Sequence, residues 1–188
     1  MRTRLVFTAS AVLLLTLLLA APAWSASVLA LDTRAHLADS TAVVEGVVGG
    51  TSQGIDSEYG TPYTDTTVSI DRVLWGTAPK GSLAVRQMKG TVDDRTMFIP
   101  GDGDLRPGMR VVLFLMDKGG FYVLNTLGQS VFEVHGSGPT ARLHQQLGDL
   151  AMFTRDERGA VVPLDEPIPA PATLGALVAE IDAVKEER

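Results

Sequence analysis

The sequence predicts a mainly β protein: a small, closed or nearly closed antiparallel barrel with one helix before it and one after. Three observations carry that expectation. Six short segments rich in β-branched and aromatic residues alternate with turns built from Gly, Pro, Asn and Asp. One of them, "MRVVLFLM", is apolar on both faces over residues 111–116, the pattern of a central strand covered on both sides. The last segment, from Thr173, repeats apolar residues at helical spacing after a stretch with four prolines in ten residues, "PLDEPIPAPA".

Residues 1–25 read as a secretory signal. Arg2 and Arg4 precede an apolar run over residues 5–20, and Ala23-Trp24-Ser25 sets small residues at the −3 and −1 positions of a cleavage site. The mature chain is then expected to begin near Ala26, in a secreted or periplasmic protein. Thr8, Ser10 and Thr16 interrupt the run, which is short against the roughly 20 residues a bilayer span needs. No stable membrane span is expected once the signal is removed.

The chain has 188 residues and no cysteine. That excludes disulfides, a thiolate metal site and a lipid-modified N-terminal cysteine, so the core alone must hold the fold. The formal net charge of −6 becomes more negative by two when Arg2 and Arg4 leave, which argues against nucleic acid as a partner. The expected organisation is a barrel domain over 26–162, a Pro-rich linker over 163–172 and an amphipathic helix over 173–188.

Taken in order, Asp32 or Thr33 can cap a short helix running to about Ala38. "TAVVEGVVGG" reads as a strand ending near Gly49-Gly50, and "TSQGIDSEYGTPY" as a loop. "TDTTVSIDRVLWG" alternates, with Val68, Ile70 and Leu74 expected on one face and Thr67, Ser69, Asp71 and Val73 on the other. "TAPKG" is a turn and "SLAVRQMKG" a third strand, followed by a polar connection into "MRVVLFLM". "DKGG" turns the chain into "FYVLN", and "QSVFEVH" forms a sixth strand. "TARLHQQLGDLA" is compatible with a short helix, and "MFTRDERGAVV" with a hairpin around residues 156–159. In the final helix Leu174, Leu177, Val178, Ile181 and Val184 form a stripe that must be buried, most simply on the barrel itself.

The succession "ADSTAVVEGVV", "YTDTTVSIDRVLWG", "IPGDGDLRPGMRVVLFL", "FYVLN" and "GQSVFEV", over residues 31–134, resembles a family of uncharacterised exported bacterial β-barrel proteins. Here Trp75 stands in place of the usual Lys, Asp104-Leu105 where Pro and Phe are expected nearby, and Met109 in place of a Glu. The order of elements is also similar to the OB-fold barrel of tissue inhibitors of metalloproteinases and netrin-like modules. The resemblance implies a fold, a small OB-like antiparallel barrel. The zinc-chelating N-terminal cysteine of those inhibitors has no counterpart, so their mechanism does not carry over.

Candidate sites weigh as follows. Asp102 and Asp104 in "GDGDLRPG" suggest a calcium loop, but Arg106 and Leu113 occupy the fifth and twelfth positions where oxygen ligands are required. A turn, with Gly101, Gly103 and Gly108 supplying positive φ and Pro107 fixing a torsion, is the better account; Asp93 and Asp94 add acid without spacing. "GGTSQG" is followed by Ile55-Asp56 rather than the Lys-Ser/Thr of a phosphate loop. His36, His135 and His144 lack zinc spacing. Ser130 and Ser137 lie outside a nucleophile elbow, though His135 and Ser137 with Glu133 or Asp149 sketch a hydrolase alternative. No catalytic residue, metal ligand or cofactor is assigned.

Tyr59, Tyr63 and Trp75 flank the long loop and the end of the second strand, where aromatic residues are either binding anchors or core lids. The expectation is a non-enzymatic binding or inhibitor-like module for an unknown protein or small ligand. The alternative is an envelope-associated protein docking through its C-terminal helix.

Overall fold

The computed structural model describes residues 26–148 and 150–187; the expected signal segment, Asp149 and Arg188 lie outside the described residues. The chain opens with β1 (Ala26–Leu29) and helix α1 (Thr33–Asp39). Two long strands follow, β2 (Ala42–Ile55) and β3 (Pro62–Gly76), then β4 (Ser82–Gln87) and the small pair β5 (Gly90–Val92) and β6 (Arg95–Met97). After a loop come β7 (Arg110–Asp117), β8 (Tyr122–Leu124), β9 (Val131–His135) and β10 (Arg142–Gln145). The chain closes with β11 (Leu150–Arg155), β12 (Val161–Pro163) and helix α2 (Leu174–Glu186).

Five strands close into a barrel. Around the ring β2 pairs with β3, β3 with β4, β4 with β8, β8 with β7 and β7 with β2; only the β4–β8 pairing is parallel. Numbered within the ring, the order is 1-2-3-5-4-1, the OB-type arrangement; the ring closes between β4 and β8 through the one pair Val85↔Tyr122. β9 and β10 extend the sheet beyond β7, while β1, β11 and β12 form a separate three-stranded sheet.

The double-sided apolar pattern of β7 has a direct cause. Val111, Leu113 and Leu115 point into the barrel among Val44, Val48 and Val68, whereas Val112 and Phe114 point out into a second core. That second core is roofed by both helices: Leu37 of α1 and Leu174, Leu177 and Ile181 of α2 pack there with Val43 and Phe132. The helices also touch each other, the Thr33 hydroxyl donating to Glu180 Oε2 at 2.5 Å. Each starts at a side-chain cap, Asp32 Oδ1 accepting from the Ala35 N–H at 2.8 Å and Thr173 Oγ1 from the Ala176 N–H at 3.2 Å. No helix among the described residues is long and apolar enough to cross a membrane.

Several local expectations are corrected. The segment expected as a loop over residues 51–63 is strand at both ends: pairing continues to Ile55↔Pro62, and only residues 56–61 turn. Asp56 Oδ1 accepts from the Glu58 and Tyr59 N–H groups at 3.0 Å and tightens that turn. Leu74 does not share a face with Val68 and Ile70. Register shifts between Val43/Val44 and Glu45/Gly46 insert extra residues in β3, so Leu74 joins the outer core. The polar connection holds the β5–β6 hairpin, and residues 142–145 pair with β9 instead of forming a helix. The expected hairpin around residues 156–159 is present, but its first strand pairs in parallel with the unanticipated β1.

The loop "FIPGDGDLRPGM" closes one end of the barrel as a plug. Leu105 and Met109 sit in the inner core, and the Gln146 side chain bonds both the N–H and the C=O of Asp104. Gly103 does not have the expected positive φ. A Cβ there would lie 2.5 Å from Val131 Cγ2, so close packing explains this glycine.

Candidate functional site

The structure does not bring the three aromatic candidates together. Tyr59 lies at the tip of the β2–β3 arm and is 70% exposed, whereas Trp75, at the far end of β3, is buried in the outer core. Tyr63 is twelve residues from Trp75 along one strand, at most about 40 Å at roughly 3.3 Å per residue. A compact ligand touching one does not reach the other.

Tyr63 belongs to a cluster that sequence reasoning missed. The Arg86 guanidinium sits between two rings, 3.6 Å from the centre of Tyr63 and 4.0 Å from that of Phe121. Its Nε and Nη2 donate to the two oxygens of Asp65 at 2.8 and 2.7 Å, a bidentate pair that fixes the plane of the guanidinium. These hydrogen bonds raise its pKa further. The register pair Asp65↔Arg86 sets the salt bridge, and the β7–β8 turn delivers Phe121. Only cross-strand register could have signalled this group, because its members are 21 and 35 positions apart along the chain.

Beside the cluster the barrel wall is incomplete. β4 and β8 share one register pair, Val85↔Tyr122, and the strands then separate around a cleft of about 660 Å³. Thr67, Thr77 and Ser82 place hydroxyls on its walls, Asp117 a carboxylate and Tyr122 an aromatic ring. On this side the segment 82–84 of β4 carries no ladder partner among the described residues, so a strand edge faces the cleft.

The other candidates do not assemble. Asp102 is half-buried, and the resulting desolvation pushes its carboxyl above the usual range against the opposing Gln87, Lys89 and Gly103 N–H. Asp104 instead reaches solvent and pairs with Arg106 at 3.0 Å. Among the described residues no three His, Cys, Asp or Glu side chains are placed to hold a metal ion. His135 lies 3.7 Å from Glu133, but among the described residues no hydrogen bond joins His135 to the exposed Ser137, and Asp149 is outside them. The Ser130 hydroxyl is fully buried and accepts from the Thr126 N–H at 2.5 Å, a structural bond. His36 is buried against Phe114, with ring centres 4.9 Å apart.

Compared with models of protein families, with curated proteins and with solved structures, the chain matches none.

Proposed function

We propose that the protein is an exported, non-enzymatic binding or inhibitor-like module that takes an extended polypeptide segment of its partner in the gap between β4 and β8. The observation that carries this reading is the single pair Val85↔Tyr122, which leaves the strand edge at 82–84 open inside a cleft. An edge of that kind offers main-chain hydrogen bonds for affinity, and the flanking Thr67, Ser82 and Asp117 supply side-chain selection. In OB-type barrels ligands lie across the second and third ring strands and the loops after the first and fourth; here Thr67 comes from the second ring strand, Ser82 and Ala84 from the third, and Gly120 from the loop after the fourth. Export rests on the signal pattern of residues 1–25.

The test compares the intact protein with Ser82→Trp and Thr67→Trp, both exposed positions whose enlargement fills the cleft without touching the core. Each is used as bait on envelope and medium fractions of the native cell. A partner retained by the unaltered protein and lost by both folded variants supports the reading. Equal retention by the variants overturns it, as does turnover of a substrate with no partner retained. N-terminal sequencing of the mature protein checks export, with a start near Ala26 as the expected result.

The alternative of docking through the C-terminal helix draws no support from the geometry. Leu177 and Ile181, the centre of that apolar stripe, are already buried in the protein's own outer core.

A further inference from the structure

A second cleft, of about 520 Å³, lies between α2 and the outer wall of the barrel. Its size falls within the usual range of small-molecule sites, about 300 to 1,000 Å³. Leu174, Val178 and Ala179 of α2 and Pro139 give it an apolar wall; Glu45 and Arg72 give it a charged floor.

That floor has an unbalanced charge. Glu45 is 6% exposed and bound on both oxygens: Arg72 donates from Nε and Nη2 to Oε2 at 3.2 and 3.0 Å, and Arg110 from Nη2 to Oε1 at 3.0 Å. Arg110 spends Nη1 on the Gly136 carbonyl. Arg72 Nη1 makes no hydrogen bond among the described residues, and half of the Arg72 side chain is exposed. Arg110 reaches Glu45 from outside the cleft lining, so two guanidiniums share one buried carboxylate and the Arg72 charge at the floor is only partly neutralised. Asp182 at the rim does not cancel it simply, because Asp182 is itself paired with Lys185 at 2.7 Å.

We propose that this cleft is a binding site for a small molecule with an apolar body and a single carboxylate. The carboxylate accepts from Arg72 Nη1, and the body lies along Val178, Ala179 and Pro139. Glu45 holds the Arg72 plane in position and does not contact the ligand. The site is separate from the gap between β4 and β8, and either can fail without the other.

Octanoate is the probe, with octylammonium and 1-octanol as matched controls of opposite and zero charge, followed by amide NMR shifts of the whole protein. Octanoate shifts the Gly175, Val178 and Ala179 amides saturably, and the controls bind at least about tenfold more weakly, a difference of 1.4 kcal/mol. Arg72→Gln weakens octanoate by a similar factor; Ala179→Trp, which fills the cleft from an exposed position, abolishes the shifts while the melting temperature holds. Absence of saturable shifts at those amides overturns the proposal. So does equal binding of octylammonium, or an octanoate affinity that Arg72→Gln leaves unchanged.

Discussion

Arg86 and Tyr63 stack at 3.6 Å, and the same guanidinium is held in plane by Asp65 and covered on its other side by Phe121. Two strands, β3 and β4, and the β7–β8 turn are tied together by one side chain that is only about one-fifth exposed. A lysine keeps the charge but cannot form the planar fork or the double stack. Arg86→Lys is therefore expected to lose about 1–2 kcal/mol in urea unfolding, and Arg86→Ala more, about 2–3 kcal/mol. Equal stability of the lysine variant would show that charge alone matters here.

Gly46 lies where β2 coils across β3. A Cβ at this position would stand 2.2 Å from the Ser69 carbonyl oxygen, a backbone atom that cannot swing away. Gly46→Ala is expected to destabilise by about 3 kcal/mol, the upper end of the usual strain of an overpacked core. Gly50, four residues on, has nothing within 4 Å of its added Cβ. Gly50→Ala should be neutral or stabilise by up to about 1 kcal/mol through the unfolded chain. Thermal unfolding of the pair side by side separates close approach from loss of glycine as such.

His36 supplies an acid-sensitive element. Its Nε2 is buried without a hydrogen-bond partner, and desolvation lowers its pKa to about 4 despite the opposing charges of Asp32 and Asp39. As pH falls below about 6.5 the unfolded chain binds the proton first, so stability declines toward pH 4 and then levels off. Above 6.5 the residue contributes no slope. The full loss is about 3 kcal/mol. His36→Leu should remove that part of the acid limb, measured as the difference in urea midpoint between pH 7 and pH 4. An unchanged slope would count against it.

The last helix is structural core. Leu177→Ala and Ile181→Ala each empty a site that is at most 1% exposed, and each should cost about 2–5 kcal/mol. Deletion of residues 163–188 should abolish cooperative unfolding, since it strips the roof from Val43, Phe114 and Phe132. A truncated protein with a sharp melting transition would mean that this roof is dispensable.

The barrel was legible in the sequence because alternation and turn chemistry are local. Residues 111–116 announced a strand covered on both sides, and the caps at Asp32 and Thr173 announced two helices. The arm over residues 51–55 was not legible. Its Thr-Ser-Gln-Gly-Ile sequence has no apolar alternation, and it is a strand because residues 62–66 pair with it. Leu74 was misplaced for a related reason: a bulge changes the face of every residue after it, and bulges arise from the partner strand. Tyr63 was visible as an aromatic near a rim, but Arg86, Asp65 and Phe121 meet it only through register. The open gap beside Val85 and Tyr122 depends on where a parallel pairing stops, and no local pattern records that.

The outer core joins Leu37, near the start of the described chain, to Ile181, near its end. During synthesis the barrel strands are all present long before α2 emerges. Until then Val43, Phe114 and Phe132 stay wet, and the half-made protein shows a sticky patch where the finished one shows a helix. A chain interrupted before residue 174 lacks Leu174, Leu177 and Ile181 and leaves that surface uncovered, the kind of exposed apolar patch that makes incomplete chains prone to aggregate.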